Sequence, residues 1–435
     1  MSRILEKFFG FRKGEHSIHA ELAAGLTTFL TMAYILAVNP SIFSSLADKG
    51  MPTGSVFTAT ALAAVFGTLV MAFYAKKPFG VAPGMGTNTF FVFTVCLGMG
   101  YSWQFALTAV FLEGIIFIIL TATKVRELIL NSFPSSLRNA IGVGIGLYIA
   151  FLGIKSTGLL VPHGEGGMSF GSISDARVQL ALISLVLASV LFILKVRGAL
   201  LISIVATTII GIPMGVTHIH ELVSVPPSVS PLLFKFEWNK ILSVDMLIVI
   251  ITFMSIDFFN TIGTVMALCT KTGMTDENGR IEGLNKALMA DATATTAGSC
   301  FGASTTTTYL ESATGVAAGG HTGLTAFAIA VCFMVSLFFA PAFLAIPSAA
   351  TGTVLILVGV MMVSPVKNID WDDFSEAVPA FITMLIMPLA GGISYGIVTG
   401  IISYVVLNTL TGKIRKTSLT LWILSAIFIV YYLMV

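Results

Sequence analysis

Charge is what this sequence has least of. Only 10% of its 435 residues are charged, 56% are hydrophobic, and mean hydropathy is +0.95. A soluble domain carries about 25% charged residues, so this composition excludes a water-exposed surface over most of the chain. The net charge of +2 offers no basic patch to a polyanion, and no nucleic-acid partner is expected. Cysteine is nearly absent too. Cys96, Cys269, Cys300 and Cys332 lie far apart and form no CxxC pair, which argues against a disulfide framework and leaves the redox compartment undetermined. The six histidines sit near termini, loops or segment edges, and His218-x-His220 has no cysteine or carboxylate cluster beside it. No phosphate-binding loop, zinc helix or nucleophile elbow occurs. ATP-driven transport and enzymatic chemistry are disfavoured, and no cofactor or metal is expected.

What is present is a long series of apolar runs. A membrane-spanning helix needs about 20 mostly apolar residues. Such segments are predicted near 20–43, 54–75, 79–98, 103–123, 137–156, 178–195 and 198–216, and, after a polar stretch holding Pro226, Pro227 and Pro231, near 241–268, 284–301, 303–320, 322–346, 349–363, 374–390 and 392–411. A last apolar run, 419–434, is short, and whether it crosses or lies along the interface is left open. The first run is too long for a cleavable signal, and the apolar pattern continues beyond it. With the N-terminus inside, eighteen of the 23 basic residues fall on the cytoplasmic side, among them Lys13, Lys124, Arg126, Lys271 and Arg280. Lys49, Lys155, Arg177, Lys235 and Lys240 fall outside. This positive-inside bias fits an even number of crossings before Lys413. The expectation is an all-α polytopic protein of the cell membrane with fourteen segments and a cytoplasmic N-terminus.

Two local matches suggest an internal repeat. Thr31 and Asn39 align with Thr252 and Asn260, and Phe79-Gly80 aligns with Phe301-Gly302 at nearly the same offset. Seven segments (1–216) precede the Pro-rich loop and seven (217–411) follow it, so the second set enters from the opposite side; 412–435 adds a basic stretch and the terminal run. Inverted repeats with broken helices at matching places are common in transporters. Segments 3 and 10 look broken. Pro83, Gly84 and Gly86 disfavour a continuous helix, with a fresh start expected at Asn88. Four consecutive threonines, Thr305–Thr308, favour extended backbone, and Thr308-x-x-Glu311 matches a capping box that would start a helix. Irregular backbone at membrane depth must be covered by protein or line a water-filled cavity. A binding site near the midplane follows.

Four acidic residues fall inside predicted spans and away from the span ends: Glu113, Asp257, Asp291 and Glu311. A charge at the bilayer centre costs roughly 2.5–3.5 kcal/mol on insertion scales, so each needs a reason. Glu311 has one in the capping box, which does not exclude ligand contact. Asp257 has no local cap to explain it and is read as functional. Asp291 is read as a hydrogen-bond anchor between helices. Glu113 is open between a helix contact and a cavity lining, and Asn88 between an N-cap and an amide that reads a ligand edge.

Taken together, Gly25-Leu-Thr-Thr-Phe-Leu-Thr-Met-Ala-Tyr-Ile35, Val38-Asn-Pro40, Ala82-Pro-Gly-Met-Gly86 with Asn88, Asp257, Ala290-Asp-Ala-Thr293, Thr307-Thr-Tyr-Leu-Glu-Ser312 and Ala317-Ala-Gly-Gly320 cover most of the chain. The combination resembles the AzgA-like purine permeases of the nucleobase–ascorbate transporter group. That resemblance implies two inverted repeats of seven segments, with segments 1–4 and 8–11 as a core, the rest as a gate, and short strands in segments 3 and 10. It also implies that Asp257, Glu311 and Asn88 bind the base and that uptake is coupled to protons. Two departures stand out. The family usually has Gly-Met-Gly-Leu-Asn-Ala where this chain has Gly84-Met-Gly-Thr-Asn-Thr89, and arginine where this chain has His321.

Chemically the implication is sound. Purine N–H donors suit carboxylate acceptors, and hydrogen bonds to charged groups contribute about 1.5–3 kcal/mol each. Helices starting near Asn88 and Thr308 would aim N–H groups at ring acceptors, and Phe90, Phe258, Phe259 or Tyr309 would cover the ring face. Exclusion from water favours the protonated form of a carboxylate, which makes Glu311, then Asp257, the candidates for proton coupling; sodium is the rival ion. The expected partners are a purine nucleobase (hypoxanthine, guanine or adenine), the proton, the lipid bilayer and a second copy of the chain in a homodimer. The rival functions are a uracil or xanthine permease and an anion exchanger on a similar fold. The latter would favour a cation near the breaks, and no Lys or Arg occurs between Gly80 and Leu120 or between Ala287 and Val366.

Overall fold

The computed structural model describes residues 2–12, 14–123, 133–163, 167–219, 221–271 and 283–434. Lys13, Lys124, Arg126, His220 and Arg280, and the side chains of Phe259, Asn260 and Lys271, lie outside what is described.

All fourteen predicted segments are found, with ends close to those expected. Segment 1 is Ile18–Met32 with Ile35–Phe43, segment 2 is Thr53–Val70 and segment 4 is Trp103–Ala122. Segments 5 to 7 are Ser135–Ser156, Ala176–Ile193 and Ala199–Gly211; segments 8 and 9 are Val244–Lys271 and Leu284–Phe301. Segments 11 to 14 begin with Gly323–Ser336, Ser348–Val363, Phe374–Leu389 and Ile393–Leu410. Among the described residues, eight helical stretches are long and apolar enough to cross a membrane. The terminal run forms a helix, Leu419–Met434, that packs on segment 14 through the buried Leu421 and Phe428.

Segments 3 and 10 are the exceptions that the prolines, glycines and threonines foretold. Segment 3 is a strand β1 (Val81–Pro83) followed by a helix over Met85–Thr89 that widens to a π-helix over Phe90–Gly98. A surface hairpin, β2 (Leu160–His163) with β3 (Gly167–Phe170), follows segment 5. Segment 10 is strand β4 (Thr306–Thr308) and a short helix, Ser312–Ala317. β1 and β4 pair antiparallel, Val81 opposite Thr308 and Pro83 opposite Thr306. The two broken segments therefore meet strand to strand, and each satisfies the backbone groups that the other's break exposes. The motif match is not the structural one. Phe79-Gly80 leads straight into β1, whereas Ala303, Ser304 and Thr305 separate Gly302 from β4.

Segment 1 is also interrupted, at Ala33-Tyr34. The backbone bonds there tighten to Leu36 N–Ala33 O (3.1 Å) and Ala37 N–Tyr34 O (3.0 Å), while Pro40, which has no N–H to give Leu36 O, lies within the helix that follows.

The helices sort into the predicted core and gate. Segment 9 packs on 2 and 4, and segment 11 on 1 and 2; separately, segment 5 packs on 12 and 13, and segment 13 on 14. Small residues set the gate spacing, as expected where no hydrophobic force drives helices together in lipid. A Cβ on Gly359 of segment 12 would lie 2.5 Å from Gly146 O and 2.7 Å from Ala150 Cβ of segment 5. Gly359→Val should therefore lower the melting temperature in detergent and the folded yield, in line with an overpacking cost of about 1–3 kcal/mol. An unchanged melting temperature would show that this contact has slack.

Candidate functional site

The site grows out of the four-threonine run. Side chains alternate across a strand, and they do so here. Thr305 and Thr307 face one way: Thr305 Oγ1 donates to Glu113 Oε2 of segment 4 (2.7 Å), and Thr307 Oγ1 pairs with Thr261 Oγ1 of segment 8 (2.7 Å). Thr306 and Thr308 face segment 9. The Thr306 backbone accepts from Thr295 Oγ1 (2.9 Å), and Thr308 Oγ1 donates to Asp291 Oδ1 (3.0 Å). The hydroxyls of Thr305, Thr307 and Thr308 are thus short tethers to neighbouring helices, whereas that of Thr306 donates locally to Ser304 O (3.3 Å) and its backbone makes the link to segment 9.

Backbone bonds tie the two breaks together beyond the strand pair. Gly84 N donates to Thr305 O and Tyr309 N to Gly80 O, both at 2.9 Å. Both helices beyond the strands open without a side-chain cap, at Gly84 and at Glu311. The first-turn N–H groups of a helix lack intrahelical partners and carry the positive end of its dipole, so the start of segment 3 suits a ligand acceptor; at segment 10, Ser312 N, Ala313 N and Thr314 N already donate to Tyr309 O, Leu310 O and Glu311 O.

Several predicted roles change at this point. The helix of segment 3 begins at Met85, and Asn88 lies in its first turn, donating its own N–H to Gly84 O (2.9 Å), so Asn88 is not the N-cap. Its side chain is fully buried. Oδ1 accepts from Ser304 Oγ, and among the described residues Nδ2 has no hydrogen-bond partner. An unpaired buried donor costs about 1–3 kcal/mol, which a bound acceptor would recover. The Thr308–Glu311 capping box does not form either. Thr308 ends β4 and turns to Asp291, while Glu311 Oε1 accepts from Tyr34 OH (2.6 Å). The strand wins because its threonine hydroxyls find buried carboxylates, leaving Glu311 aimed at the interruption in segment 1.

Asp257 and Asp291 are brought together by a single hydroxyl. Thr261 Oγ1 is 3.0 Å from Asp257 Oδ1 and 2.7 Å from Asp291 Oδ2. Asp291 thus ties segment 9 to segment 8 and to β4. Glu113, Asp257 and Asp291 are buried, whereas Glu311 is only half-buried and so is open to an incoming group. Tyr309 gives its hydroxyl to Pro83 O (2.6 Å), and its ring is tilted against Tyr34 at 6.4 Å. Phe90 packs edge-on to Phe253 at 4.7 Å. Phe258 stacks on Phe117 in a separate cluster with Leu288 and Ala292, so it is not brought to the strand pair.

Tyr34, Thr261, Thr307 and Ser304 are the members that sequence reasoning did not single out. Thr261 stands four positions after Asp257, on the same helix face, and that spacing was a usable signal. Tyr34 had only the nearby Pro40 to mark it.

Comparison with known proteins agrees with this architecture. Residues 19–399 match the Permease family (Xan_ur_permease). The chain is 39% identical to the guanine/hypoxanthine permease PbuG of Bacillus subtilis over 99% of both chains. It is 37% identical to the adenine permease AdeQ of Escherichia coli, over 98% of this chain and 96% of that one. Among solved structures, the transmembrane domain of the cyanobacterial bicarbonate transporter BicA superposes with a TM-score of 0.65 at 16% identity, covering 87% of this chain and 97% of that domain. The shared fold is an inverted repeat arranged as core and gate.

Proposed function

Because the chain belongs to the Permease family, and is a multi-pass membrane transporter rather than an enzyme, we propose that it imports purine nucleobases by proton symport. The observation that carries this reading is the pairing of opposite hydrogen-bonding characters at the two helix starts. Asn88 offers a buried amide donor with no partner among the described residues, and Glu311 offers a half-buried carboxylate that accepts from Tyr34. A purine edge carries both acceptors and donors, so the two groups suit opposite parts of one flat ring. The printed activities of the relatives, adenine for one and guanine or hypoxanthine for the other, point to the same class of substrate.

The proton enters through energetics. One charge moving inward gains about 2.3 kcal/mol per 100 mV, so a single coupled proton concentrates a neutral base roughly fortyfold. Radiolabelled hypoxanthine, guanine and adenine in proteoliposomes test both halves of the proposal. Counterflow should reveal the substrate, and accumulation should require an imposed proton gradient and vanish with a protonophore. Accumulation that survives the protonophore but needs sodium would overturn proton symport.

The orientation follows from charge. Residues 1–19 and the stretch around Lys413 belong inside, and 217–240 outside, on the eighteen-to-five asymmetry of basic residues. An impermeant thiol reagent should label a cysteine placed at Ser224 in intact cells. Labelling only after permeabilisation would reverse the topology.

A further inference from the structure

Three consecutive residues of segment 5 face three different neighbours. A Cβ at Gly144 would lie 2.6 Å from Met387 Sδ and 3.2 Å from Met384 Cα, so this position is pressed against segment 13. A Cβ at Gly146 would lie 2.6 Å from Met362 Cβ and 2.9 Å from Gly359 O, against segment 12. Successive helical residues are turned by about 100°. Ile145, between the two glycines, therefore points about 100° from each of them, away from its gate neighbours and onto the core.

What it meets there is the candidate site. A Cβ at Gly86 would lie 3.0 Å from Ile145 Cγ2 and 3.5 Å from Ile256 Cγ2. Gly86 lies two positions before Asn88 in the first turn of segment 3, and Ile256 adjoins Asp257 in segment 8. Both isoleucines are buried, so gate and core are closed on each other at this point. One turn nearer the start of segment 5, on the same side of the helix, Gly142 has nothing among the described residues within 4 Å of where a Cβ would stand. Among the described residues, the contact at Ile145 is thus bordered by open space.

We propose that Ile145 is the gate-side wall of the substrate site and that its bulk sets which substituted rings the site admits. This rests on the purine reading above. The core supplies the polar groups named so far, and a flat ring held by its edges still needs apolar cover on a face. A β-branched side chain in a helix is held close to one χ1 rotamer, so isoleucine here is a fixed wall rather than an adaptable one. The glycines on either side let segments 12 and 13 brace the helix behind it.

Competition for radiolabelled hypoxanthine uptake in proteoliposomes tests the proposal, with 8-methyl- and 9-methyl-substituted purines as competitors. Ile145→Ala should shift the preference for hypoxanthine over the substituted purines by roughly tenfold or more, the usual effect of one missing or extra methylene in an apolar pocket. Val143→Ala, in a cluster of the gate with Ile369, Ala380 and Met384, should leave that ratio unchanged, which separates a wall from a packing residue. Gly86→Ala should depress uptake by wedging its methyl against Ile145, and adding Ile145→Ala should restore it. Unchanged selectivity in Ile145→Ala together with no rescue of Gly86→Ala overturns the proposal while the wild type still carries purine. A wild type that carries no purine overturns the reading beneath it.

Discussion

Glu311→Gln should abolish purine accumulation while the protein still folds and reaches the membrane. Glutamine keeps an oxygen for the Tyr34 hydroxyl, which sits 2.6 Å from Glu311 Oε1, and Glu311 makes no side-chain cap that folding would miss. What is lost is the charge. A hydrogen bond to a charged group contributes about 1.5–3 kcal/mol, so base binding should weaken roughly ten- to a hundredfold. An amide also cannot carry a proton. Residual counterflow at saturating base, with no gradient-driven accumulation, is therefore the signature expected if Glu311 couples transport. Asp257→Asn should likewise remove uptake, with its neighbour Thr261 still within hydrogen-bonding reach. Uptake assays normalised to membrane abundance decide the matter. Near-normal uptake by both variants would refute the site assignment.

Asp291→Ala should fail differently, through folding. Asp291 accepts from Thr261 Oγ1 at 2.7 Å and from Thr308 Oγ1 at 3.0 Å, with all three residues buried. Thr261 retains Asp257 and Thr307 as partners, but Thr308 loses its carboxylate. An orphaned buried hydroxyl costs about 1–3 kcal/mol, a large share of a stability of about 5–15 kcal/mol, and β4 keeps only the Thr306–Thr295 link to segment 9. Lower abundance and a lower melting temperature in detergent are expected, with uptake per folded molecule much less affected. A variant of normal abundance and melting temperature that does not transport would make Asp291 part of the transport machinery instead.

Features set by neighbouring residues were legible in the sequence, and those set by residues far apart along the chain were not. Composition alone required a membrane protein, because 10% charge cannot clothe a chain of this length in water. Apolar run lengths located fourteen segments, and Pro83, Gly84, Gly86 and the threonine run marked the two that break. These are local properties, set by backbone stiffness and transfer from water, and a linear reading captures them. The buried carboxylates were visible for the same reason, since a charge in an apolar run is conspicuous whatever surrounds it.

Only the tertiary structure decided which partners those groups take. The capping box at Thr308 and Glu311 was a sound local reading, yet Asp291 of segment 9 draws the Thr308 hydroxyl and Tyr34 of segment 1 draws the Glu311 carboxylate. Thr308 and Asp291 are close in sequence, but Tyr34 and Glu311 are 277 positions apart. A polar side chain buried in an apolar medium takes whichever partner the packing brings within about 3 Å, and no local pattern records which helix that will be. Phe258 makes the same point from the apolar side: its type suits a ring face, but its turn of segment 8 faces Phe117. The residues that could hold a charge or break a helix were written in the sequence; their pairing was fixed by the antiparallel meeting of β1 and β4, which exists only once both halves have folded against each other.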